Sequence, residues 1–279
     1  MNYQRQVDDY FESSAAYWKN VYQEERLFAA IYRERREKAL QWVDELHLAP
    51  HSNVLEVGCG AGLLTTAIAE RGHLVHAMDS ASAMIDSTRQ EAKSKALMGR
   101  VTVGLGDVHN LEFKTNSFDL VIALGVIPWL HSEERAVREM ARVLKPGGFL
   151  LASADNRLRL TSLADPRSTP LLAPVRRAMK QIISALKSRA EKADKFYTKR
   201  HAPQEIDSLI AAAELQKIKC DSLGFGPFMI FEREIFPDRI SLELHRMFQR
   251  WANSGFVPGL ALTGSHYLIL ARKPDGKNS

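Results

Sequence analysis

The sequence predicts an α/β protein with a central, mostly parallel sheet and helices on both faces. An apolar run from Val54 to Val57 breaks into closely spaced glycines and is followed by an alanine-rich helical segment. Further short apolar runs alternate with helical patterns as far as Leu151. This alternation is typical of a parallel sheet. The 279 residues fit one large domain with additions better than two equal domains.

Residues 1–50 are predicted to form an N-terminal helical extension. Apolar and aromatic side chains recur there on a helical period among arginines and glutamates. Pro50 and the polar residues 51–53 end the second helix before the first strand. The aromatic side chains of this extension are expected to pack onto the sheet.

Gly58, Gly60 and Gly62 stand between the first strand and the next helix. Glycine lets a ligand approach the backbone, and the first amides of the helix offer unpaired donors. A small molecule is therefore expected across this turn. The dinucleotide fingerprint requires glycine or alanine at its sixth position, which Leu63 occupies here.

Two acidic residues follow the next two strands. Asp79 ends the apolar run from His73 to Met78, and Asp107 comes just after the run from Val101 to Leu105. An acid at the end of the second strand can accept both hydroxyls of a ribose, although nicotinamide enzymes place an acid there too. The pair of acids at two strand ends is more specific than either one.

Several stretches of residues 53–153 resemble class I S-adenosylmethionine (SAM)-dependent methyltransferases. The Glu56-x-Gly58-x-Gly60-x-Gly62 pattern resembles their motif I, and residues 79–85 resemble D-x-S-x-x-M-[IL]. Residues 117–121, SFDLV, and residues 144–148, LKPGG, match the fourth and fifth strands of the family. All lie in the family's order. The resemblance implies a Rossmann-like fold of the small-molecule "type 11" group, which includes ubiquinone-biosynthesis methyltransferases.

The resemblance also implies SAM as the cofactor. Glu56 would organise the amine end of its methionine moiety, Asp79 its ribose and Asp107 its adenine amino group. Met84 is either a neighbour of the adenine or a core residue. The residues expected to contact SAM are Glu56, Gly58, Cys59, Gly60, Gly62, Asp79, Ser80, Met84, Asp107, Val108 and Leu124. Because several relatives cover the cofactor with an N-terminal helix, residues 1–50 are a candidate lid, with Tyr10, Tyr17 and Tyr22 as its contacts.

A catalytic base is harder to assign. Many relatives carry histidines after the fourth strand, where this sequence has Pro128 and Trp129. His131 and His201 are the remaining candidates, and Trp129 is expected in the pocket wall. An acceptor that ionises readily, such as a phenol or a carboxylate, needs little help from a base.

Residues 156–201 are predicted to be a helical insertion after the fifth strand. Between Arg157 and Arg200 there are twelve lysines and arginines and three acids, so this segment carries +9 and the rest of the chain about −4. Three interpretations stay open: a helix docked on the core, a substrate cap that attracts an anionic group, and a membrane-surface helix. Stacking aromatics are lacking, so a nucleic-acid partner is not expected.

Residues 202–273 should complete the domain. They include an aromatic-rich segment from Phe225 to Leu262 and a last strand from His266, and residues 274–279 form a polar tail. The N-terminus lacks the apolar core of a signal peptide, so a cytoplasmic location is expected, with peripheral membrane contact through residues 157–200 as an option. Two cysteines, Cys59 and Cys220, make neither a disulfide framework nor a metal site.

These features predict SAM-dependent methylation, at oxygen or carbon, of a small or lipid-like acceptor that could be anionic. The alternatives are a nicotinamide-dependent oxidoreductase and a non-catalytic, membrane-associated protein that keeps the fold. The sequence leaves the acceptor and the oligomeric state open.

Overall fold

A computed structural model describes residues 3–164, 198–230 and 233–276 of the chain. Within these ranges the strands are β1 (Asn53–Val57), β2 (Leu74–Asp79), β3 (Val101–Leu105), β4 (Phe118–Ala123), β5 (Leu144–Asp155), β6 (Gln216–Leu223), β7 (Met229–Ile230), β8 (Arg233–Glu234) and β9 (His266–Arg272). The helices are α1 (Tyr3–Asn20), α2 (Leu27–Glu45), α3 (Leu63–Glu70), α4 (Ser82–Ser94), α5 (Glu133–Val143), α6 (Leu160–Ala164), α7 (Pro203–Ala212) and α8 (Asp238–Ser254).

Seven strands form one sheet in the order β3-β2-β1-β4-β5-β9-β6. Strands β1 to β5 pair in parallel, and β9 runs antiparallel to both of its neighbours. The predicted α/β fold with a mostly parallel sheet is confirmed. One edge of the sheet therefore collects the carboxyl ends of β1, β2, β4 and β5 together with the start of β9. Ligands bind at this edge in open α/β sheets.

Both faces of the sheet are buried. Leu55 and Val57 point into a core with α5 and α7, and Val54 lies in a second core with α2 and α3. Side chains of β4 alternate between the same two cores. Because neither face of β1 or β4 meets water, these strands are mostly apolar; the exceptions are Asn53 and Glu56 in β1 and Asp119 in β4.

The two N-terminal helices have different positions. Helix α2 packs on the sheet through Ala39, Trp42 and Val43, as its helical period predicted. The aromatic side chains of α1 do not join this core, and most of them line a cavity instead. Helix α1 contacts α4 through Glu12, whose carboxylate accepts the backbone amides of Ser82 and Ala83 at 2.5 and 3.1 Å. Glu12 thus caps the N-terminus of α4, where a negative charge is stabilising.

The ends of the predicted insertion lie beside the main sheet. Asn156 and His201 form a parallel bridge, and the buried amide of Asn156 donates to the carbonyls of Leu262 and Gly264. Residues 165–197 of the predicted insertion fall outside the described residues. In the described ranges, no helix is long and apolar enough to cross a membrane.

Candidate functional site

A cavity of about 550 Å³ lies at the carboxyl-end edge of the sheet. The glycine turn and the ends of β1, β2 and β4 form one wall, and α1 and α2 form the opposite wall. Of the eleven residues expected to contact SAM, ten line this cavity; Gly62 does not. The structure therefore brings the predicted contacts together, and their binding roles stay predictions.

The three glycines of the turn differ in what surrounds them. All three have a positive φ, at +68° for Gly58, +53° for Gly60 and +81° for Gly62. A Cβ at Gly58 would collide with Val126, and a Cβ at Gly62 would lie 2.8 Å from the Thr88 Cα. A Cβ at Gly60 would have no atom within 4 Å. Gly58 and Gly62 thus allow close packing, whereas Gly60 leaves the cavity open.

Asp79 holds the turn in place. Its Oδ2 accepts the Gly60 amide at 3.0 Å, and its Oδ1 accepts the Ala81 amide at 3.1 Å. Burial nevertheless raises the pKa of this carboxyl group. Cys59 is buried next to Thr88, and burial raises the pKa of its thiol. This thiol is therefore a packed turn residue rather than a nucleophile.

Glu56 is a buried carboxyl group at the end of β1. Its Oε2 accepts a 2.5 Å hydrogen bond from the Thr65 hydroxyl. Burial is the main reason why the pKa of Glu56 is raised to about 8. The hydrogen bond from Thr65 lowers this pKa, and the negative charge of Asp79 raises it. Glu56 is consequently protonated near neutral pH, and a cation beside it would favour its ionised form.

Asp107 is positioned by two histidines. Its Oδ1 accepts the His109 amide at 2.9 Å and lies 2.7 Å from His109 Nδ1. These bonds, together with the charges of His109 and His131, hold the pKa of Asp107 below its ordinary value although burial raises it. The His109 ring in turn stacks on His131 with ring centroids 3.6 Å apart.

Neither histidine predicted as a base lines the cavity. His131 supports His109 and approaches Gln4 Oε1 at 3.3 Å. His201 lies with its Nε2 3.3 Å from Oε1 of Glu133, which also accepts from Lys199. Trp129 does line the cavity, where it stacks on Tyr10 with centroids 5.4 Å apart.

Sequence reasoning did not single out a second acid and histidine in the cavity wall. Asp155 ends β5 and His266 begins β9, and the two are register partners. His266 Nδ1 lies 3.3 Å from Asp155 Oδ1. The strand-end rule that selected Asp79 applies to Asp155 as well. The same rule could not identify His266 from the sequence, because β9 is antiparallel and therefore begins, rather than ends, at this edge of the sheet.

The ionisation of this pair is set by its surroundings. Burial lowers the pKa of His266, and the charges of Arg35 and Arg159 lower it further, against the effect of Asp155. Burial raises the pKa of Asp155, but His266, Arg35 and Arg159 outweigh it and hold this pKa below the ordinary value. At neutral pH a neutral imidazole therefore stands beside a carboxylate.

Four arginines, Arg35, Arg36, Arg159 and Arg200, also line the cavity, and sequence reasoning named none of them as site residues. Arg35 is only 7% exposed and lies over the Tyr32 ring, 5.0 Å from its centroid. A Cβ at Gly125 would come within 2.9 Å of the Arg35 guanidinium, so this glycine makes room for it. Desolvation of the neighbouring phenol raises the pKa of Tyr32 to about 12.

A metal centre is not evident in the parts of the chain that the structure describes. No group of three or more histidine, cysteine, aspartate or glutamate side chains there is arranged to hold a metal ion.

Comparisons with known proteins agree on one type of domain. Residues 55–152 match the family model described as "Methyltransferase domain". The ubiquinone biosynthesis O-methyltransferase of Coxiella burnetii is 28% identical over 118 residues, which is 42% of this chain and 50% of that protein. The biotin biosynthesis bifunctional protein BioHC of Cellvibrio japonicus is 34% identical over 149 residues, 51% of this chain and 29% of that protein. The chain thus spans half or less of the length of these curated relatives.

Solved structures show the same overall fold. Magnesium protoporphyrin IX methyltransferase from Synechocystis PCC 6803, solved with bound SAH (S-adenosylhomocysteine), superposes with a TM-score of 0.64 at 15% identity and covers 98% of this chain and 100% of that one. Its sequence identity is too low to transfer an activity. Together with the sheet order, these matches show that residues 55–152 form a methyltransferase domain and that the chain has the class I SAM-dependent methyltransferase fold.

Proposed function

We propose that this protein transfers the methyl group of SAM to a small-molecule acceptor. The observation that carries the proposal is the composition of the cavity. The glycine turn, Asp79 and Asp107 lie on one wall, and an aromatic and arginine-rich wall lies opposite. One wall suits a nucleoside with an amino-acid tail, and the other suits an organic acceptor.

The donor and acceptor groups of the first wall fit SAM. Gly60 leaves open space where a ligand can lie against the backbone. Each oxygen of Asp79 has a lone pair beyond its backbone bond, so the carboxylate can still accept from two ribose hydroxyls. Asp107 uses Oδ1 for His109, which leaves Oδ2 for an exocyclic amine. Glu56 supplies a carboxylate for the amine of the methionine moiety.

When bound, SAM supplies a sulfonium methyl group that is already reactive toward nucleophiles. The task of the chain is therefore to align the acceptor and to keep water out. We assign the second part of this task to α1, whose Val7, Tyr10 and Phe11 line the cavity. The contacts of Tyr10 and Phe11 with Trp129, and of Glu12 with the start of α4, hold α1 over the strand ends as a lid.

The Asp155–His266 pair is the candidate proton acceptor. The pair lines the cavity, and a neutral imidazole can take a proton while the carboxylate stabilises the resulting charge. His266→Gln and Asp155→Asn should lower kcat by about 10²-fold or more and leave the SAM affinity unchanged. His245→Gln is the matched control, because His245 is a buried histidine that pairs with Glu34 outside the cavity.

The curated relatives support a class of methyl acceptor. The curated matches include a ubiquinone biosynthesis O-methyltransferase and a demethylmenaquinone methyltransferase, which supports a small, partly apolar acceptor. The aromatic wall of the cavity supports the same class. Methylation at oxygen or at carbon would be distinguished by the chemical shift of the transferred methyl group in the product.

Calorimetry and mass spectrometry test the proposal together. SAM and SAH should bind with micromolar affinity, and NAD should give no heat. Incubation of the protein with trideuterated SAM and cell extract should yield products that are 17 Da heavier than their precursors. Tight binding of NAD without a SAM signal would replace this proposal with a nicotinamide-dependent activity.

A further inference from the structure

The charges that line the cavity are segregated. Three acidic side chains, Glu56, Asp79 and Asp107, lie at the ends of the first three strands or just after them. The rest of the lining carries four arginines, of which Arg35 lies against Gly125 just after β4, and one carboxylate, Asp155. The second part of the cavity therefore carries an excess of positive charge.

The arginines are not neutralised by ion pairs inside the protein. Over the described ranges, Arg35, Arg159 and Arg200 form no salt bridge within 4.0 Å. Arg159 makes one hydrogen bond, from its Nε to the Ser162 hydroxyl at 2.9 Å. Arg35 is buried and Arg159 is half-buried, whereas Arg200 is exposed. A buried or half-buried arginine normally has a carboxylate or phosphate partner, because desolvation of an unpaired charge is costly.

Arg159 and Arg200 are close enough to repel each other. Burial lowers the pKa of Arg159 to about 10, the positive charge of Arg200 lowers it further, and Asp155 only partly offsets these effects. Two guanidinium groups at one cavity wall with incomplete compensation form a strong site for an anion, because each can donate two parallel hydrogen bonds to a carboxylate or a phosphate.

SAM does not account for this charge. Its amino-acid tail carries one carboxylate, but the amine and the sulfonium make the molecule a net cation. Arg35 lies against Gly125, and the adjacent Val126 contacts Gly58 of the glycine turn, so Arg35 is the cation available to the carboxylate of that tail. Arg159 and Arg200, beyond Asp155 and His266, remain for another ligand.

On the basis of the proposed function, we infer that the methyl acceptor is an anion whose carboxylate or phosphate group is bound by Arg159 and Arg200. The adjacent rings of Tyr17, Trp18 and Tyr32 contact its apolar part. The anionic group thereby acts as an anchor that orients the acceptor across the cavity from the glycine turn. This selects organic acids and phosphate esters over neutral molecules of the same shape.

Ligand binding tests the inference separately from catalysis. The probes are 1-naphthoate, 1-naphthyl phosphate and the neutral isostere 1-naphthamide, each titrated into the full chain in a calorimeter with and without SAH. We expect at least one of the anions to bind at least tenfold more tightly than the amide. The anion that binds more tightly shows whether the site prefers a carboxylate or a phosphate group.

Substitutions then locate the anion. Arg159→Gln and Arg200→Gln should each weaken the binding of the anion at least tenfold, and Arg159→Lys should restore part of it. Arg157→Gln is the matched control, because this substitution also removes one positive charge from the segment. Arg157 lies outside the cavity lining and pairs with Glu205. It should leave the anion affinity within twofold.

The outcomes separate the two proposals. Equal binding of the amide and the anions, absence of anion binding, or an effect of Arg157→Gln equal to that of Arg159→Gln would each overturn the inference. SAH binding is measured on its own for every variant and should stay within twofold. If the wild-type chain does not bind SAH, the proposed methyl transfer fails, whereas loss of anion selectivity with intact SAH binding refutes the anionic acceptor alone.

Discussion

Alanine substitutions at Gly60 and Gly62 should separate ligand binding from folding. Both residues have a positive φ, so alanine costs about 1–2 kcal/mol of backbone strain at either site. At Gly60 the added methyl group meets no protein atom within 4 Å. At Gly62 it would lie 2.8 Å from the Thr88 Cα, and relief of such overpacking costs a further 1–3 kcal/mol or so. We therefore expect Gly62→Ala to lose about 2–5 kcal/mol of unfolding free energy and Gly60→Ala about 1–2.

The affinity for SAM should show the opposite order. The methyl group at Gly60 enters the cavity, so Gly60→Ala should weaken SAM binding at least tenfold in calorimetry while the protein stays folded. Gly62 does not line the cavity, and Gly62→Ala, measured at a temperature where it is folded, should bind SAM within a few-fold of wild type. Urea denaturation gives the stabilities. Equal destabilisation by both variants, or unchanged SAM affinity of Gly60→Ala, would refute this account of the turn.

Four further predictions concern three acidic residues. Because the pKa of Glu56 is raised to about 8, SAM binding at pH 7 should release about one proton, seen as a dependence of the binding heat on the buffer, and Glu56→Gln should abolish it. The same raised pKa means that Glu56 favours the fold fully below its ordinary pKa of 4.5 and that this contribution is lost as the pH rises from there to about 8. Wild type should therefore lose stability relative to Glu56→Gln between about pH 5 and 8 and no further above this range; a flat difference from pH 5 to 8 would contradict the assignment. Glu12→Gln should loosen α1, raising hydrogen exchange of residues 3–20 and weakening SAM binding severalfold, whereas the exposed Glu25→Gln should change neither. Asp79→Asn should weaken SAM binding by roughly 10- to 100-fold through the loss of charged hydrogen bonds to the ribose, and an affinity equal to wild type would exclude Asp79 as the ribose ligand.

Much of the central sheet could be predicted from local sequence. Strand β1, the glycine turn and α3 fall where the pattern placed them. Burial on both faces makes a parallel strand mostly apolar, and the glycines mark the turn at which the helix starts with unpaired amides. The strand-end rule placed Asp79 and Asp107 in the cavity wall because parallel strands share one direction. The last strand also begins at His266, as its apolar run predicted.

The other residues that line the cavity were harder to predict from the sequence. Asp155 and His266 are 111 positions apart and meet only because β9 is inserted antiparallel beside β5. Arg35 is indistinguishable in the sequence from its neighbours Arg33 and Arg36, and its position against Gly125 depends on the crossing of α2 over the end of β4. His131 was selected as a base, yet it stacks on His109 and supports Asp107 from outside the cavity.

The sequence by itself determined the fold class and the wall of the cavity that suits SAM, because both follow from short-range periodicity and from residues within one strand–turn–helix unit. Only the tertiary structure decided which cations and which histidine line the rest of the cavity. These side chains come from α2, the segment between β5 and α6, β9 and the segment before α7, and packing of distant segments, rather than any local pattern, sets their distances and their pKa values.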